Sequence, residues 1–341
     1  MVRLYVKNWR CIEEVEIFLK PVTVFIGKNA TGKSSLAYAL YFLAKVIEWG
    51  DINKVLTHLY GAQLDGVVRS VGGEKFYPLV IEAEKSRFEV RSASELSVPR
   101  ESPWSSGYLL PSQRLSLVKI SQFLPMLARE ILKRYPEARA FLAFVSSIFE
   151  LAKTMPILPP MYLFLDDLVK LYLGKGFSKR HELGDIGALI EEVTPLLYLI
   201  TYEYEDPFAK LRLPLDLAPD GSVDSWIIRL FIEGARENSL LVIEEPEIHK
   251  NPIQIVDLVK YLAKRAVEKR LTLVMTTHSD VVLQAVVKAV EEKLIRSDHA
   301  AVYYFERSSE SPWTKVRELK VYEDGTIEEL PDVEKVVSML F

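Results

Sequence analysis

Residues 27–35 read GKNATGKSS and lie between the apolar stretch VTVFI (22–26) and the leucine-rich stretch LAYALYFLA (36–44). The first flank predicts a buried strand and the second predicts a helix, so the glycine-rich loop joins a strand to a helix N-terminus. Its letters fit the pattern G-x4-G-K-S, in which glycines let the backbone wrap around an anion that the loop N–H groups attract. We therefore predict a loop that binds the phosphates of a nucleotide.

Within this loop, Lys33 is expected to reach the β- and γ-phosphates, and Ser34 to offer its hydroxyl to Mg²⁺. A chance glycine turn before a helix is the alternative, and average residue usage gives the pattern by accident in roughly one per cent of chains of this length. The flanking strand and helix make that accident rarer. The predicted phosphate cradle comprises Gly27, Lys28, Asn29, Ala30, Thr31, Gly32, Lys33, Ser34 and Ser35.

A second apolar stretch, LLVI (240–243), ends in the acid pair Glu244 and Glu245. A buried parallel strand delivers its last residues to the carboxyl edge of the sheet, where a phosphate loop also lies. We predict that Glu244 belongs to the Mg²⁺ shell and that Glu245 orients and deprotonates the water that attacks the γ-phosphate. The alternative is a pair of acids that simply ends a strand at the surface.

A third apolar stretch, LTLVMTTHSD (271–280), ends in polar residues in the same way. His278, at the sheet edge beside the acids, is predicted to contact the γ-phosphate as a hydrogen-bond donor. A solvated or capping histidine before a helix that starts at Ser279 is the alternative.

Strands and helices alternate from about residue 222 to 291, which is typical of a mostly parallel sheet covered by helices. Residues 2–7 and 12–19 alternate polar and apolar side chains and predict N-terminal antiparallel strands. We therefore predict an α/β fold with a mostly parallel central sheet in a discontinuous domain, 1–115 and 195–341, and a helical insertion at 116–194.

Composition excludes several classes of protein. The 341 residues are 49% hydrophobic with a net charge of −4, so a nucleic-acid surface would have to be a local patch. The single cysteine, Cys11, excludes an intrachain disulfide and fits a reducing compartment. No signal-peptide block opens the chain, and charges and prolines interrupt its most apolar region, 141–174, so we expect a cytoplasmic protein without a membrane anchor.

Together the motifs resemble those of ABC-class ATPases of the SMC-like, chromosome-maintenance and DNA-repair type, in particular the compact branch related to the overcoming-lysogenization-defect (OLD-like) AAA ATPases. The segments that carry the resemblance are VKNWRCIEEVEI (6–17), the loop with its flanks, LLVIEEPEIHKNP (240–252) and TTHSD (276–280). The resemblance implies ATP and Mg²⁺ as cofactors and an approach of Arg10 to the nucleotide. It also assigns the roles given above to Lys33, Ser34, Glu244, Glu245 and His278.

Two further matches to the family are short. Gln113, in LLPSQR, stands where a glutamine joins the Mg²⁺ shell, although a polar turn after Pro111 fits the same letters. The family's signature loop, a Ser-Gly pair that contacts the partner's γ-phosphate in the dimer, corresponds here to Asp220, Gly221 and Ser222. Because a carboxylate repels phosphate unless a cation or donor intervenes, either Ser222 substitutes or the loop caps its helix and activation in trans is weakened.

The resemblance also implies partners. We expect an ATP-dependent homodimer that reopens on hydrolysis and is coupled to DNA maintenance or defence, or to a separate effector protein such as a nuclease. The single cysteine and the absence of heptad runs exclude a zinc hook and long coiled coils. The alternatives are a nucleotide-gated protein-binding module with little hydrolysis and a transporter subunit. The basic residues within 250–270 form either a DNA-binding patch or a solvated helix face.

Overall fold

The computed structural model describes residues 1–92, 95–116, 118–119, 163–164, 167–168, 171, 180–183, 186–194, 197–206, 208–214 and 217–329. The chain forms two compact units. The first unit contains the phosphate loop, the acid pair and His278, and comprises Met1–Leu56, Ala62–Leu110 and Ala235–Phe341. The second unit comprises Thr57–Gly61 and Pro111–Gly234.

Strands and helices are numbered in chain order. The strands are β1 (Val2–Trp9), β2 (Ile12–Leu19), β3 (Val22–Gly27), β4 (Ser70–Val71), β5 (Glu74–Lys75), β6 (Leu79–Ala83), β7 (Ser86–Ser92), β8 (Glu95–Ser97), β9 (Gly107–Leu110), β10 (Arg180–Leu183), β11 (Ile186–Thr194), β12 (Leu197–Glu205), β13 (Arg212–Pro214), β14 (Leu240–Glu244), β15 (Thr272–Thr277), β16 (Ala300–Glu306) and β17 (Lys315–Leu319). The helices with described bounds are α1 (Lys33–Trp49), α2 (Ile52–Tyr60), α3 (Asp220–Gly234), α4 (Pro252–Glu268) and α5 (Asp280–Glu291).

The main sheet of the first unit has the order β17-β16-β3-β15-β14-β9. Its strands run parallel apart from β17, which pairs antiparallel with β16 at one edge. In β3, Val24 lies between Met275 of β15 and Val302 of β16, and all three side chains are fully buried. A parallel sheet covered on both faces explains such continuous apolar strands. The predicted α/β fold with a mostly parallel central sheet is confirmed.

An antiparallel sheet with the order β2-β1-β6-β7-β8 also belongs to the first unit. β1 and β2 are the predicted N-terminal pair, and Arg10 lies in the turn between them. The ring of Trp9 lies 5.2 Å from that of Phe42 on α1, which in turn lies 5.0 Å from the ring of Phe88 on β7. These buried aromatic contacts hold the antiparallel sheet against the helix that follows the phosphate loop.

The second unit contains an antiparallel sheet with the order β10-β11-β12-β13, together with α3. The prediction of a helical insertion is wrong for the end of 116–194, because residues 180–183 and 186–194 form strands. The residues of β11, IGALIEEVT, do not alternate strictly, and pairing with β12 along the strand decides their structure. Residues 120–162, which hold most of the predicted helices, lie outside the described ranges.

Candidate active site

The phosphate loop follows β3 and needs glycine at two positions. Gly27 has a φ of 151°, and a Cβ there would lie 2.2 Å from the carbonyl oxygen of Phe305 on β16. Gly32 has a φ of 104°, and a Cβ there would lie 2.2 Å from Oγ1 of Thr314 and 3.1 Å from Sγ of Cys11. Packing against neighbouring segments therefore adds to the backbone geometry as a reason for both glycines.

Lys33 begins α1 and folds its side chain back onto the loop. Its Nζ donates hydrogen bonds to the carbonyl oxygens of Gly27 and Lys28, each at 2.7 Å. Burial lowers the pKa of Lys33 from its ordinary 10.5 to about 8, against the opposing effect of three nearby glutamates. The ammonium group thus lies at the loop, and phosphate oxygens would take the place of its two carbonyl acceptors when a nucleotide binds.

The N-terminus of α1 is open to an anion. Its N-cap, Gly32, provides no side-chain hydrogen bond, and Ser34 in the first turn is exposed. The carbonyl oxygen of the next residue, Ser35, accepts a hydrogen bond of 3.0 Å from Nε1 of Trp9. Free N–H groups at a helix N-terminus bind anions, so this geometry fits the phosphate groups of a nucleotide.

The acid pair lies where the sequence predicts, at the carboxyl end of β14. Glu244 is buried, lies opposite Thr276 of β15 in the sheet register, and accepts a hydrogen bond of 2.7 Å from the hydroxyl of Tyr38. Glu245 has a φ of 45°, and its N–H donates to the carbonyl oxygen of Thr276 at 2.8 Å. A non-glycine residue in this left-handed region is uncommon and occurs often at functional sites.

His278 follows β15 and connects the loop with the acids. Its Nδ1 lies 2.9 Å from the carbonyl oxygen of Gly27 and 3.3 Å from Nζ of Lys33. Its Nε2 lies 3.5 Å from Oε1 of Glu245. The imidazole ring is therefore held between the phosphate loop and the predicted general base.

Two residues of this site were missed by sequence reasoning. Tyr38 contacts Glu244, and Glu247 accepts hydrogen bonds from the hydroxyl of Thr277 at 2.6 Å and from the N–H of His278 at 3.1 Å. One signal was available for Tyr38, which lies four residues after Ser34 and so one helical turn further along the same face of α1. For Glu247 the signal was a third acid in EEPE.

Of the other predicted residues, Arg10 belongs to the first unit, while Gln113 and the predicted signature loop belong to the second. Arg10 is exposed, has a φ of 50°, and donates its backbone N–H to the carbonyl oxygen of Val67 at 2.8 Å. Gln113 is an exposed turn residue of the second unit. The roles of Arg10 and Gln113 toward a nucleotide stay predictions.

The predicted signature loop forms the start of α3 in the second unit. Asp220 is the first residue of this helix, Gly221 is buried, and the N–H of Ser222 donates to the carbonyl oxygen of Pro219 at 3.0 Å. The carboxylate of Asp220 lies 2.5 Å from Nζ of Lys119, which neutralises its charge. The loop therefore begins a helix, and the role of Asp220, Gly221 and Ser222 toward a nucleotide stays a prediction.

The donor set fits a nucleotide with Mg²⁺. Within the described part of the chain, no group of three or more His, Cys, Asp or Glu side chains is arranged to hold a metal ion by itself. Mg²⁺ in nucleotide sites keeps several waters and takes one or two protein ligands besides phosphate oxygens. The exposed hydroxyl of Ser34 and the carboxylate of Glu244 are ligands of the required kind.

Comparisons with known proteins agree with the fold. Residues 1–83 match the AAA ATPase domain family. The chain is similar to a solved Smc head bound to the C-winged helix domain of ScpA, with 11% identity, coverage of 94% of this chain and 98% of that one, and a TM-score of 0.53. It is also similar to an Smc head domain with an extended coiled coil bound to the C-terminal domain of ScpA, derived from Pyrococcus furiosus, with 12% identity, coverage of 100% and 99%, and a TM-score of 0.50. No curated protein sequence matches the chain.

The fold is therefore the P-loop fold of SMC heads. The family match over residues 1–83 adds support for a nucleotide-binding ATPase. Membership of the OLD-like subgroup stays a prediction. None of the helices in the described ranges combines the length and the apolar run that are needed to span a bilayer.

Proposed function

We propose that this protein binds ATP with Mg²⁺ and hydrolyses the β–γ phosphoanhydride bond. The observation that carries the proposal is the close approach of Lys33, Glu245 and His278 beside the open N-terminus of α1. Nδ1 of His278 lies 3.3 Å from Nζ of Lys33, and its Nε2 lies 3.5 Å from Oε1 of Glu245. A positioned base and fixed positive charge are what phosphoryl transfer to water requires.

Each side chain has a task in this proposal. Lys33 and the N–H groups of α1 bind the phosphates, and Lys33 exchanges its two loop carbonyls for phosphate oxygens. Ser34 and Glu244 hold Mg²⁺, which neutralises phosphate charge when it is bound. Glu245 orients the attacking water and accepts its proton, while His278 donates a hydrogen bond toward the γ-phosphate.

The proposed biological role is a switch in which ATP closes a homodimer and hydrolysis reopens it. The similar Smc heads were solved with a domain of ScpA bound, which supports coupling to a partner protein. A DNA role has less support from the basic helix, since Lys260 is paired with Glu292, and Lys264 and Arg265 with Glu268. These ion pairs favour a solvated helix face over a patch free to bind DNA phosphates.

Steady-state hydrolysis of ATP by the purified protein tests the proposal. We expect Mg²⁺-dependent turnover that falls at least about a hundredfold in Glu245→Gln, because the general base is lost, while ATP affinity is retained. Glu268→Gln, a change of the same kind on the exposed face of α4, is the matched control and should leave turnover unchanged. Full turnover in Glu245→Gln would refute the assignment.

A second candidate function is a nucleotide-gated binding module with little hydrolysis. The observation that favours it is Asp220 at the start of α3, because this residue places a carboxylate where a serine is expected in the signature loop. Sedimentation of Glu245→Gln with and without ATP distinguishes the two. ATP-dependent dimers together with turnover in the unaltered protein support the switch, whereas ATP-dependent dimers without turnover support the gated module.

A further inference from the structure

Glu247 joins the ends of two neighbouring strands, β14 and β15. One carboxylate oxygen, Oε1, accepts hydrogen bonds from the hydroxyl of Thr277 at 2.6 Å and from the backbone N–H of His278 at 3.1 Å. The Thr277 hydroxyl oxygen in turn accepts from the N–H of Ser279 at 2.9 Å. One oxygen atom of Glu247 thus fixes the backbone on both sides of the His278 Cα through a short network.

The turn after β14 delivers Glu247 to this position. Glu245 takes a left-handed φ of 45°, and Pro246 follows it with the restricted φ of proline. The chain then turns, with the N–H of Ile248 donating to the carbonyl oxygen of Glu245 at 3.2 Å. The backbone strain at the predicted base is therefore the feature that brings the third acid back toward β15.

The second oxygen of Glu247 differs from the first in its contacts. Oε2 is buried and has no hydrogen-bond partner among the described residues. A buried carboxylate oxygen without a partner costs free energy, and such atoms in native structures call for an explanation. Glu247 also lies close enough to Lys33 to oppose the lowering of its pKa, more strongly than Glu244 does. The side chain therefore belongs to the electrostatic environment of the phosphate loop.

We propose that Glu247 is a positioning residue for ATP hydrolysis, which holds His278 at the phosphate loop by fixing its backbone N–H and the preceding Thr277. The inference rests on the proposed ATPase function. Because Glu247 acts through His278, its length matters more than its charge: an acceptor must reach the His278 N–H, and a side-chain amide oxygen can serve as that acceptor.

Two conservative variants separate length from charge. Glu247→Gln keeps the length and the acceptor, and Glu247→Asp keeps the charge but withdraws the carboxylate by one methylene group. We expect kcat of Glu247→Gln to stay within about threefold of the unaltered protein and kcat of Glu247→Asp to fall about tenfold, with the Kd for ATP within about threefold in both. The inference would be overturned if kcat of Glu247→Asp stayed near that of the unaltered protein, or if the two variants lost kcat equally.

The background variant His278→Ala tests whether Glu247 acts through the histidine. In that background we expect Glu247→Asp to change kcat by less than about twofold, because the group that it positions is absent. A loss that stays near tenfold would mean that Glu247 acts independently of His278, and would overturn the inference. If Glu247→Asp acted through a general structural defect, it would lower kcat in both backgrounds, so the same comparison tests for such a defect.

Amide hydrogen exchange in the nucleotide-free protein gives a readout without catalysis. We expect the His278 amide to exchange about tenfold faster in Glu247→Asp and within about threefold of the unaltered rate in Glu247→Gln. The Glu245 amide, bonded to the carbonyl oxygen of Thr276, is the internal control. Unchanged exchange of His278 in both variants would overturn the inference. A protein without turnover would refute the proposed function, while the exchange rates would still decide whether Glu247 holds His278.

Discussion

At the scale of single residues, the site brings together a buried ammonium group, two acids on one strand end and a third on the turn that follows. Lys33 is buried among loop carbonyls, and burial is the main reason that its pKa lies near 8. Glu244, Glu245 and Glu247 offset only part of this effect. The charge state of Lys33 in the nucleotide-free protein therefore changes within a pH range that is accessible to experiment.

We predict that ATP affinity decreases as the pH rises through about 8. Phosphate oxygens favour the ammonium form, so above the pKa of free Lys33 binding must take up a proton, and the Kd rises by about tenfold between pH 7 and pH 9. Calorimetry in buffers of different ionisation enthalpy should show this proton uptake at pH 9. Lys33→Arg, whose charge is constant in this range, is the control, and a Kd of the unaltered protein that does not vary with pH would contradict the prediction.

Tyr38→Phe removes one hydroxyl from the site and tests the support of Glu244. The hydroxyl donates to Oε2 of Glu244 at 2.7 Å. This hydrogen bond should contribute about 1 kcal/mol to holding the Glu244 carboxylate in place for Mg²⁺. Its loss should therefore raise the Mg²⁺ concentration needed for half-maximal turnover by about fivefold. Titration of turnover with Mg²⁺ measures this shift. Tyr5→Phe, which removes a similar hydrogen bond to exposed Glu14 on the antiparallel sheet, should leave the Mg²⁺ requirement unchanged.

At the scale of elements, the loop depends on the strand beside it. β16 lies next to β3, and the carbonyl oxygen of Phe305 occupies the space that a Cβ of Gly27 would need. Gly50, the C-cap of α1, has a φ of 68° but no atom within 4 Å of its Cβ position. A side chain at Gly27 would therefore meet both a steric clash and an unfavourable positive φ, whereas one at Gly50 would meet the positive φ alone.

We predict that Gly27→Ala abolishes ATP binding and lowers the free energy of unfolding by about 3 kcal/mol or more, because backbone atoms of β16 must move. Gly50→Ala meets only the left-handed backbone and should cost about 1 kcal/mol, with ATP affinity unchanged. Urea unfolding and ATP titration measure the two quantities. Equal losses of stability in both variants would contradict the argument from packing.

At the scale of the whole molecule, each of the two units has its own β-structure and its own charged contacts. In the second unit, Arg114 and Asp224 form an ion pair with side chains no more than 1% exposed, and Nη2 of Arg114 donates to Oδ2 of Asp224 at 2.8 Å. Nη1 donates to the carbonyl oxygen of Pro111 at 3.1 Å. A charge buried this deeply depends on its partner, since water cannot replace the lost contact.

Asp224→Ala should therefore destabilise the second unit by about 3–5 kcal/mol, because it removes one member of a buried ion pair. Asp220→Ala breaks the ion pair of a half-exposed carboxylate with Lys119 in the same unit and should cost less than about 1 kcal/mol. Urea unfolding followed by circular dichroism compares the two variants. Similar losses would show that burial does not govern the strength of the Arg114 pair.

Sequence patterns predicted the elements of the site because their signals are local. The apolar runs of β3, β14 and β15 indicate buried strands, and the glycine pattern indicates the loop, from a few neighbouring residues each. The carboxyl-edge rule for parallel sheets then predicted that Glu244, Glu245 and His278 lie near Lys33, and the structure brings these side chains together. The functions of these residues stay predictions.

Sequence patterns failed where distant segments decide the structure. The sequence by itself determined the P-loop, the parallel strands and the acids at their ends, because periodicity and glycine stereochemistry act over a few residues. Only the tertiary structure decided that β10 and β11 are strands, that Tyr38 bonds to Glu244, and that Glu247 bonds to Thr277 and His278. Tyr38 contacts a residue 206 positions away in the sequence, and Glu247 contacts residues about 30 positions away. Strand pairing likewise depends on backbone hydrogen bonds that no local pattern encodes.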